Sequence, residues 1–240
     1  MRNGGIGLRA ATLLMLALLT GEAALAQGDK YTPTGSRVGR PQPADVPDSV
    51  SMADATKARL MVYQLADCAI RSNKKNAATF MDAKAESQAS SKSMNALVNS
   101  ECLWNADLRM PTTLLRGAIF RAAYYRDFEK VELKLRETPV DFQAHVEDPK
   151  QPNVARYLVT LDFADCVVRA DPAGVRTYVM AEPDSKAETA ALVAIQPKLG
   201  PCFPANAQMT VNRSNLSAML AEALYREIEA GRTVAVEALR

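Results

Sequence analysis

Four cysteines, one histidine and two recurring Asp-Arg pairs are the side chains of this 240-residue sequence whose types and spacing admit chemistry. Cys68, Cys102, Cys166 and Cys202 lie too far apart for zinc, which takes closely spaced pairs such as Cys-x-x-Cys, so no metal is expected. An even cysteine count points instead to two disulfides, with three connectivities open. His145 has Asp141, Glu147 and Asp148 around it, but nucleophilic catalysis of the Ser-His-Asp kind calls for a Gly-x-Ser-x-Gly elbow that the chain lacks. It reads as a solvated loop histidine. Asp67 and Arg71, like Asp165 and Arg169, stand four apart with the acid first, the favourable order for an intrahelical ion pair contributing about 0.2–0.5 kcal/mol. Tyr125-Arg126 and Tyr225-Arg226 read as core-edge pairs, the tyrosine hydroxyl finding a partner and the arginine meeting an acid from a neighbouring helix. There is no Gly-rich phosphate loop and no His-Glu-x-x-His. The acids are scattered, and no two stand out for glycoside cleavage. No catalytic residue and no cofactor are therefore assigned.

The elements that position these residues begin after residue 26. Arg2 and Arg9 precede the apolar run Ala10 to Leu19, and Ala24-Leu25-Ala26 supplies the small-x-small pattern read by a signal peptidase. The run is about half the 20 residues needed to span a bilayer. Residues 1–26 thus read as a signal peptide cleaved after Ala26, with a periplasmic or secreted product. No second long apolar run follows, so no transmembrane segment is expected in the mature chain. Without the leader the chain has 27 basic and 26 acidic residues, and aromatics are 6% of the whole sequence. Neither a basic stripe nor a stacking platform for nucleic acid is present. Residues 27–51, with Pro33, Pro41, Pro43 and Pro47, bury too little to order themselves and read as a flexible arm.

The remainder repeats itself. Leu65-Ala66-Asp67-Cys68-Ala69-Ile70-Arg71 matches Phe163-Ala164-Asp165-Cys166-Val167-Val168-Arg169 at an offset of 98. Cys102 then matches Cys202, and Ala123-Tyr124-Tyr125-Arg126 matches Ala223-Leu224-Tyr225-Arg226, both at an offset of 100. Three ordered matches argue for duplication: a first repeat over 52–137, a connection over 138–151 and a second repeat over 152–240. Each copy reads as roughly four helices, giving an all-α fold. Asp171-Pro172 ends one helix and caps the next, and Ser185-Lys186-Ala187-Glu188 opens a third as a capping box, closing near Pro197 and the Leu199-Gly200-Pro201 breaker. A fourth begins near Asn212 with an apolar stripe from Leu216 to Ile228. The first copy departs from that stripe at Arg116. Val131 to Leu135 alternates in a strand-like way and could equally continue the preceding helix; a short strand pair near 131–136 is the expected exception. Duplication also selects the cysteine pairing: if each copy descends from a unit that folded alone, the bonds are Cys68 with Cys102 and Cys166 with Cys202, each worth roughly 4 kcal/mol in the loop-entropy view. Retention of arginine in both copies predicts an Arg-acid network packed within each.

The pattern Phe-Ala-Asp-Cys-Val-Val-Arg, the Asp-Pro break, a cysteine 36 residues on and Ala-Glu-Ala-Leu-Tyr-Arg resembles uncharacterised exported bacterial proteins that carry this unit in tandem. The resemblance covers 57–129 and 155–230 and implies no activity, substrate or cofactor. The expectation for function is a non-enzymatic binding or structural protein of the envelope, with an unidentified envelope or extracellular protein as partner. The alternative is an envelope-modifying hydrolase with carboxylates between the repeats.

Overall fold

Asp171 ends one helix and starts another: its amide donates to Val167 and its carboxylate accepts from the Gly174 amide at 2.8 Å. Capping of this kind recurs through a computed structural model that describes residues 53–98, 102, 110–205 and 211–237, the last five by backbone alone. The leader and the Pro-rich arm lie outside the described residues. The helices are α1 (Asp54–Ser72), α2 (Lys74–Asp82), α3 (Gln88–Leu97), α4 (Thr112–Phe128), α5 (Pro152–Ala170), α6 (Pro172–Met180), α7 (Lys186–Cys202) and α8 (Arg213–Glu237). The class is all-α, and the described residues contain no strand, only a parallel bridge between Ala85 and Val146.

The two halves place their caps at the same positions. Asn73 caps α2 as Asp171 caps α6, and Ser87 caps α3 as Ser185 caps α7, each time at the offset of 98. Glu86 and Asp184, just ahead of those serines, both take a left-handed backbone, with φ of 60° and 58°. Such positions cost on the order of 1 kcal/mol for a residue other than glycine, and the chain incurs it at equivalent places. The cysteines pair within each half, Cys68 with Cys102 and Cys166 with Cys202, at S–S distances of 2.07 and 2.03 Å. The second bond fixes the last residue of α7 to α5.

Helix α7 runs through Pro197 and closes at Cys202, one residue beyond the Leu199-Gly200-Pro201 breaker expected to end it. Each proline removes one backbone bond, but Val193, Pro197 and Pro201 face solvent, where water satisfies the carbonyls. Residues 131–136 form no strand pair. The segment runs extended over α8 with Leu133 and Leu135 packed on the core, and a Cβ at Gly231 would sit 2.2 Å from the Lys134 carbonyl oxygen, so this close passage depends on glycine. The Ser185 capping box closes on one side only. Ser185 Oγ accepts from the Glu188 amide at 3.0 Å, but the Glu188 carboxylate accepts from the Asp184 amide and turns to an arginine of α1.

The core is organised by α4 and α8. Nearly every residue of α4 from Leu115 to Tyr124 is buried, as is almost all of α8 from Leu216 to Ile228. They cross where a Cβ on Gly117 would lie 2.3 Å from the Ala218 Cα, so the two backbones touch. Around this crossing Phe120, Phe128 and Tyr225 pack ring against ring with centroids 5.0–5.4 Å apart. α1 lies on α4, and α5 and α6 lie on α8. Each central helix also reaches the other half. Arg121 on α4 donates to the carbonyls of Val179, Met180 and Ala181 at the end of α6, and Arg226 on α8 donates to Met81 near the end of α2. A guanidinium at a helix C-terminus satisfies orphan carbonyls and opposes the helix dipole.

Candidate functional site

The charged side chains buried between the halves form the site most able to do chemistry. Glu222 on α8 is 2% exposed and accepts from Arg116 of α4, at 3.0–3.1 Å from Nε and 2.9 Å from Nη2. It also accepts from Arg226 Nε, one turn along its own helix, at 3.1 Å, and from the Tyr157 hydroxyl of α5. Arg226 then donates through Nη1 to His145 Nδ1 at 3.1 Å. The Arg116 guanidinium lies over the rings of Phe80 and Phe120, and that of Arg226 over Phe120. Burial alone pushes the Glu222 carboxyl up, but the Arg116 and Arg226 charges outweigh it and hold the group below the ordinary carboxylate range. Burial works against the Arg116 cation too, and the Glu222 charge overcomes it, holding Arg116 above the usual guanidinium value. The centre therefore contains two cations and one anion, a net charge of +1. One donor is unused: Arg116 Nη1 is buried without a hydrogen-bond partner.

His145 is not the solvated loop residue expected from its flanks. It sits half-buried in a 3-10 turn over 142–145, and the Ala85–Val146 bridge pins the turn by a 2.8 Å bond from the Ala85 amide to the His145 carbonyl. Burial and then the Arg226 charge push the imidazole down to about 4, so it is neutral and accepts through Nδ1. Relative to a free value of 6.5, its contribution to stability is complete above 6.5 and is lost as pH falls through 4.

A second buried group lies on α8 at the residue after Arg226. Glu227, fully buried, accepts from the Val140 amide at 2.9 Å and pairs with Arg169 of α5 at 3.0 Å. Arg169 also donates to the carbonyls of Arg136 and Glu137, so this cluster ties the connection to both helices. Burial, and after it the Glu227 carboxyl, pushes Asp165 up to about 8. Unfolded, the same carboxyl ionises near 3.8. Folding thus retains a proton between those values, and the contribution of Asp165 is complete below the lower one and lost as pH rises through the upper one. Asp165→Asn is expected to flatten the decline in melting temperature between pH 6 and 8.5. Thermal melts over a pH series check it, and a slope equal to that of the parent chain would refute the assignment.

Of the repeated polar residues, the structure brings together Asp165 and Arg169 with Glu227, and Arg226 with Glu222. The expected intrahelical pair Asp165–Arg169 is replaced by Arg169–Glu227, because α8 presents a carboxylate to α5 at close range. Asp67 is half-buried and raised by burial, against the charges of Arg121 and Arg71, and Arg71 itself is exposed. Both tyrosine hydroxyls find partners, Tyr125 at the Met180 carbonyl and Tyr225 at Asp127. Arg126 does not meet an acid from another helix but pairs with adjacent Asp127 at the surface. The Arg-acid network expected within each half is present in the second, where Arg169 pairs with Glu227 and Arg226 with Glu222, and Arg116 of α4 joins it from the first half across the α4–α8 crossing. Arg116, Glu222 and Tyr157 were not singled out by repetition, because the matching positions hold Leu216, Ala122 and Arg59, whereas Glu227 matches Asp127 within the repeat. The one visible signal was Arg116 interrupting an apolar stripe.

A further ion pair crosses the halves near the start of α1: Arg59 with Glu188, alongside Thr56 with Asp184. A small cleft, partly open to solvent, lies between α2, α3 and the start of α4, with Phe80, Met94, Glu86, Ser90, Thr112 and Arg116 in its lining. Among the described residues, no cluster of three or more His, Cys, Asp or Glu is placed to hold a metal, and no helix is long and apolar enough to cross a membrane. No family model, curated protein or solved structure matches the chain.

Proposed function

We propose that the chain is an exported, tandemly duplicated binding or structural protein of the bacterial envelope, and not an enzyme. The observation that carries this reading is the Arg116–Glu222–Arg226 centre. The carboxylate best placed for chemistry between the halves is held ionised by two guanidiniums and sealed from solvent. Such a group braces a scaffold and has no path to a substrate. Two disulfides suit an oxidising compartment, in keeping with the leader read over residues 1–26 and with the resemblance to exported tandem-unit proteins.

The hydrolase reading draws support from Asp165, a carboxyl with a raised value beside a second acid. Glu227 is nevertheless occupied by Val140 and Arg169, which favours a structural role for the pair. Crosslinking in intact cells separates the two readings. The expected result is an adduct with a discrete envelope component of unaltered mass. A component shortened in cells carrying the parent chain, but intact with Asp165→Asn, would overturn the binding reading.

A further inference from the structure

We propose that Cys166–Cys202 is a thiol–disulfide exchange site, opened by a protein dithiol of the Cys-x-x-Cys class while Cys68–Cys102 stays closed. The inference goes beyond the binding reading above and does not depend on it.

The two bonds are equivalent in sequence but not in exposure. Cys102 is 4% exposed and Cys68 half-buried, and the Ser72 hydroxyl lies 3.5 Å from Cys102 Sγ. Cys166 is exposed, although Phe163, Ala164, Asp165, Val167 and Val168 around it on α5 are buried. Within a helix the backbone is enclosed by the surrounding side chains, so this exposure falls on the side chain and its sulfur. Exchange requires a thiolate to reach a disulfide sulfur, and exposed bonds are therefore the labile ones. The surroundings favour a protein thiol over a small one. Phe203, next to Cys202, is 40% exposed and stacks on Phe163, one turn before Cys166, with ring centroids 4.6 Å apart. Pro201 and Pro204 beside it are exposed as well. Aromatic anchors of this kind are what protein partners bury, and here they flank the bond on both of its helices. The first half has Leu65 and Leu103 at the two aromatic positions.

In the exchange, the incoming thiolate attacks Cys166 Sγ, forms a mixed disulfide and expels the Cys202 thiolate. The second thiol of the reductant then displaces Cys166 and closes its own disulfide. Two electrons and two protons pass from the dithiol to the cystine. The consequence is local. Pro197 and Pro201 take two backbone bonds out of the last turns of α7, so that end depends on its tether to α5. No cysteine lies on α4 or α8, and their crossing stays intact.

Timed reduction of the native, oxidised protein tests the proposal. A reduced thioredoxin-class protein and dithiothreitol are used in parallel, with iodoacetamide quenching and peptide mapping. Cys166 and Cys202 are expected to be alkylated at least about tenfold faster than Cys68 and Cys102 with either reagent. Phe203→Ser is expected to lower the ratio of the protein-dithiol rate to the dithiothreitol rate at least about fivefold. Equal rates at the two bonds, the mark of reduction through global unfolding, overturn the proposal, as does faster opening of Cys68–Cys102. Resistance of both bonds to the protein dithiol overturns it too. So does an unchanged rate ratio in Phe203→Ser, since the bond is then open to any thiol and no protein surface is being recognised.

Discussion

Glu222→Leu is expected to lower stability by about 3–5 kcal/mol, because it strands two buried guanidiniums at once. For a folded body of this size that corresponds to a fall of roughly 6–20 °C in melting temperature. The loss comes less from the missing Coulomb attraction than from desolvation that is no longer offset. Arg116 and Arg226 are both close to fully buried, and Glu222 accepts from both. The control is the triple variant Arg116→Met, Glu222→Leu, Arg226→Met. It removes the uncompensated charges together and is expected to recover a large part of the loss, as replacing a whole buried ion cluster by apolar groups of similar volume often does. Denaturant unfolding of both variants decides the matter. A single variant as stable as the parent would show that the centre does not hold the halves together.

Gly117→Val is expected to be comparably damaging for a steric reason. The new Cβ would lie 2.3 Å from the Ala218 Cα and 2.7 Å from its carbonyl oxygen. Backbone atoms cannot rotate aside, so α4 and α8 must separate, opening the packing around Phe120, Phe128 and Tyr225. Overpacking of this kind costs about 1–3 kcal/mol, and more when backbone is displaced. Gly117→Ala gains roughly 1 kcal/mol of helix propensity against the same clash and should still destabilise. Adding Ala218→Gly removes one of the clashing atoms and is expected to restore part of the loss. Full stability of Gly117→Val would mean that the crossing is not close-packed.

The parts of this architecture legible in the sequence were those written in local code. Asp171-Pro172, Ser185 and Asn212 act through hydrogen bonds to amides three residues on, so their meaning is complete within a few positions. The cysteine pairing was legible because repetition converts a global question into two local ones. What was not legible is how the halves meet. The residues that join them, Arg116, Glu222, Tyr157 and Arg59, have Leu216, Ala122, Arg59 and Tyr157 at the matching positions, so none belongs to the recurring pattern. Repetition therefore drew attention to Arg126 and Arg71, which lie at the surface, as much as to Arg169 and Arg226, which are in the buried network, and passed over Arg116 and Glu222. Alternation at 131–136 misled for a related reason. An extended segment lying on a helix has the same inward and outward rhythm as a strand, and only the absence of a bonding neighbour distinguishes them.

The crossing at Gly117 and Ala218 also sets an order of assembly. The disulfides span 34 and 36 residues, whereas the helices that meet at the centre are about a hundred residues apart in sequence. Contacts near in sequence form sooner than remote ones, so each half can be oxidised correctly before α4 finds α8. The late step is docking of two finished pieces joined through the stretch between Phe128 and Pro152. An α8 from a second chain offers α4 the same surface as its own. The characteristic misassembly of such a layout is reciprocal exchange of second halves between two molecules, a dimer in which every disulfide is native.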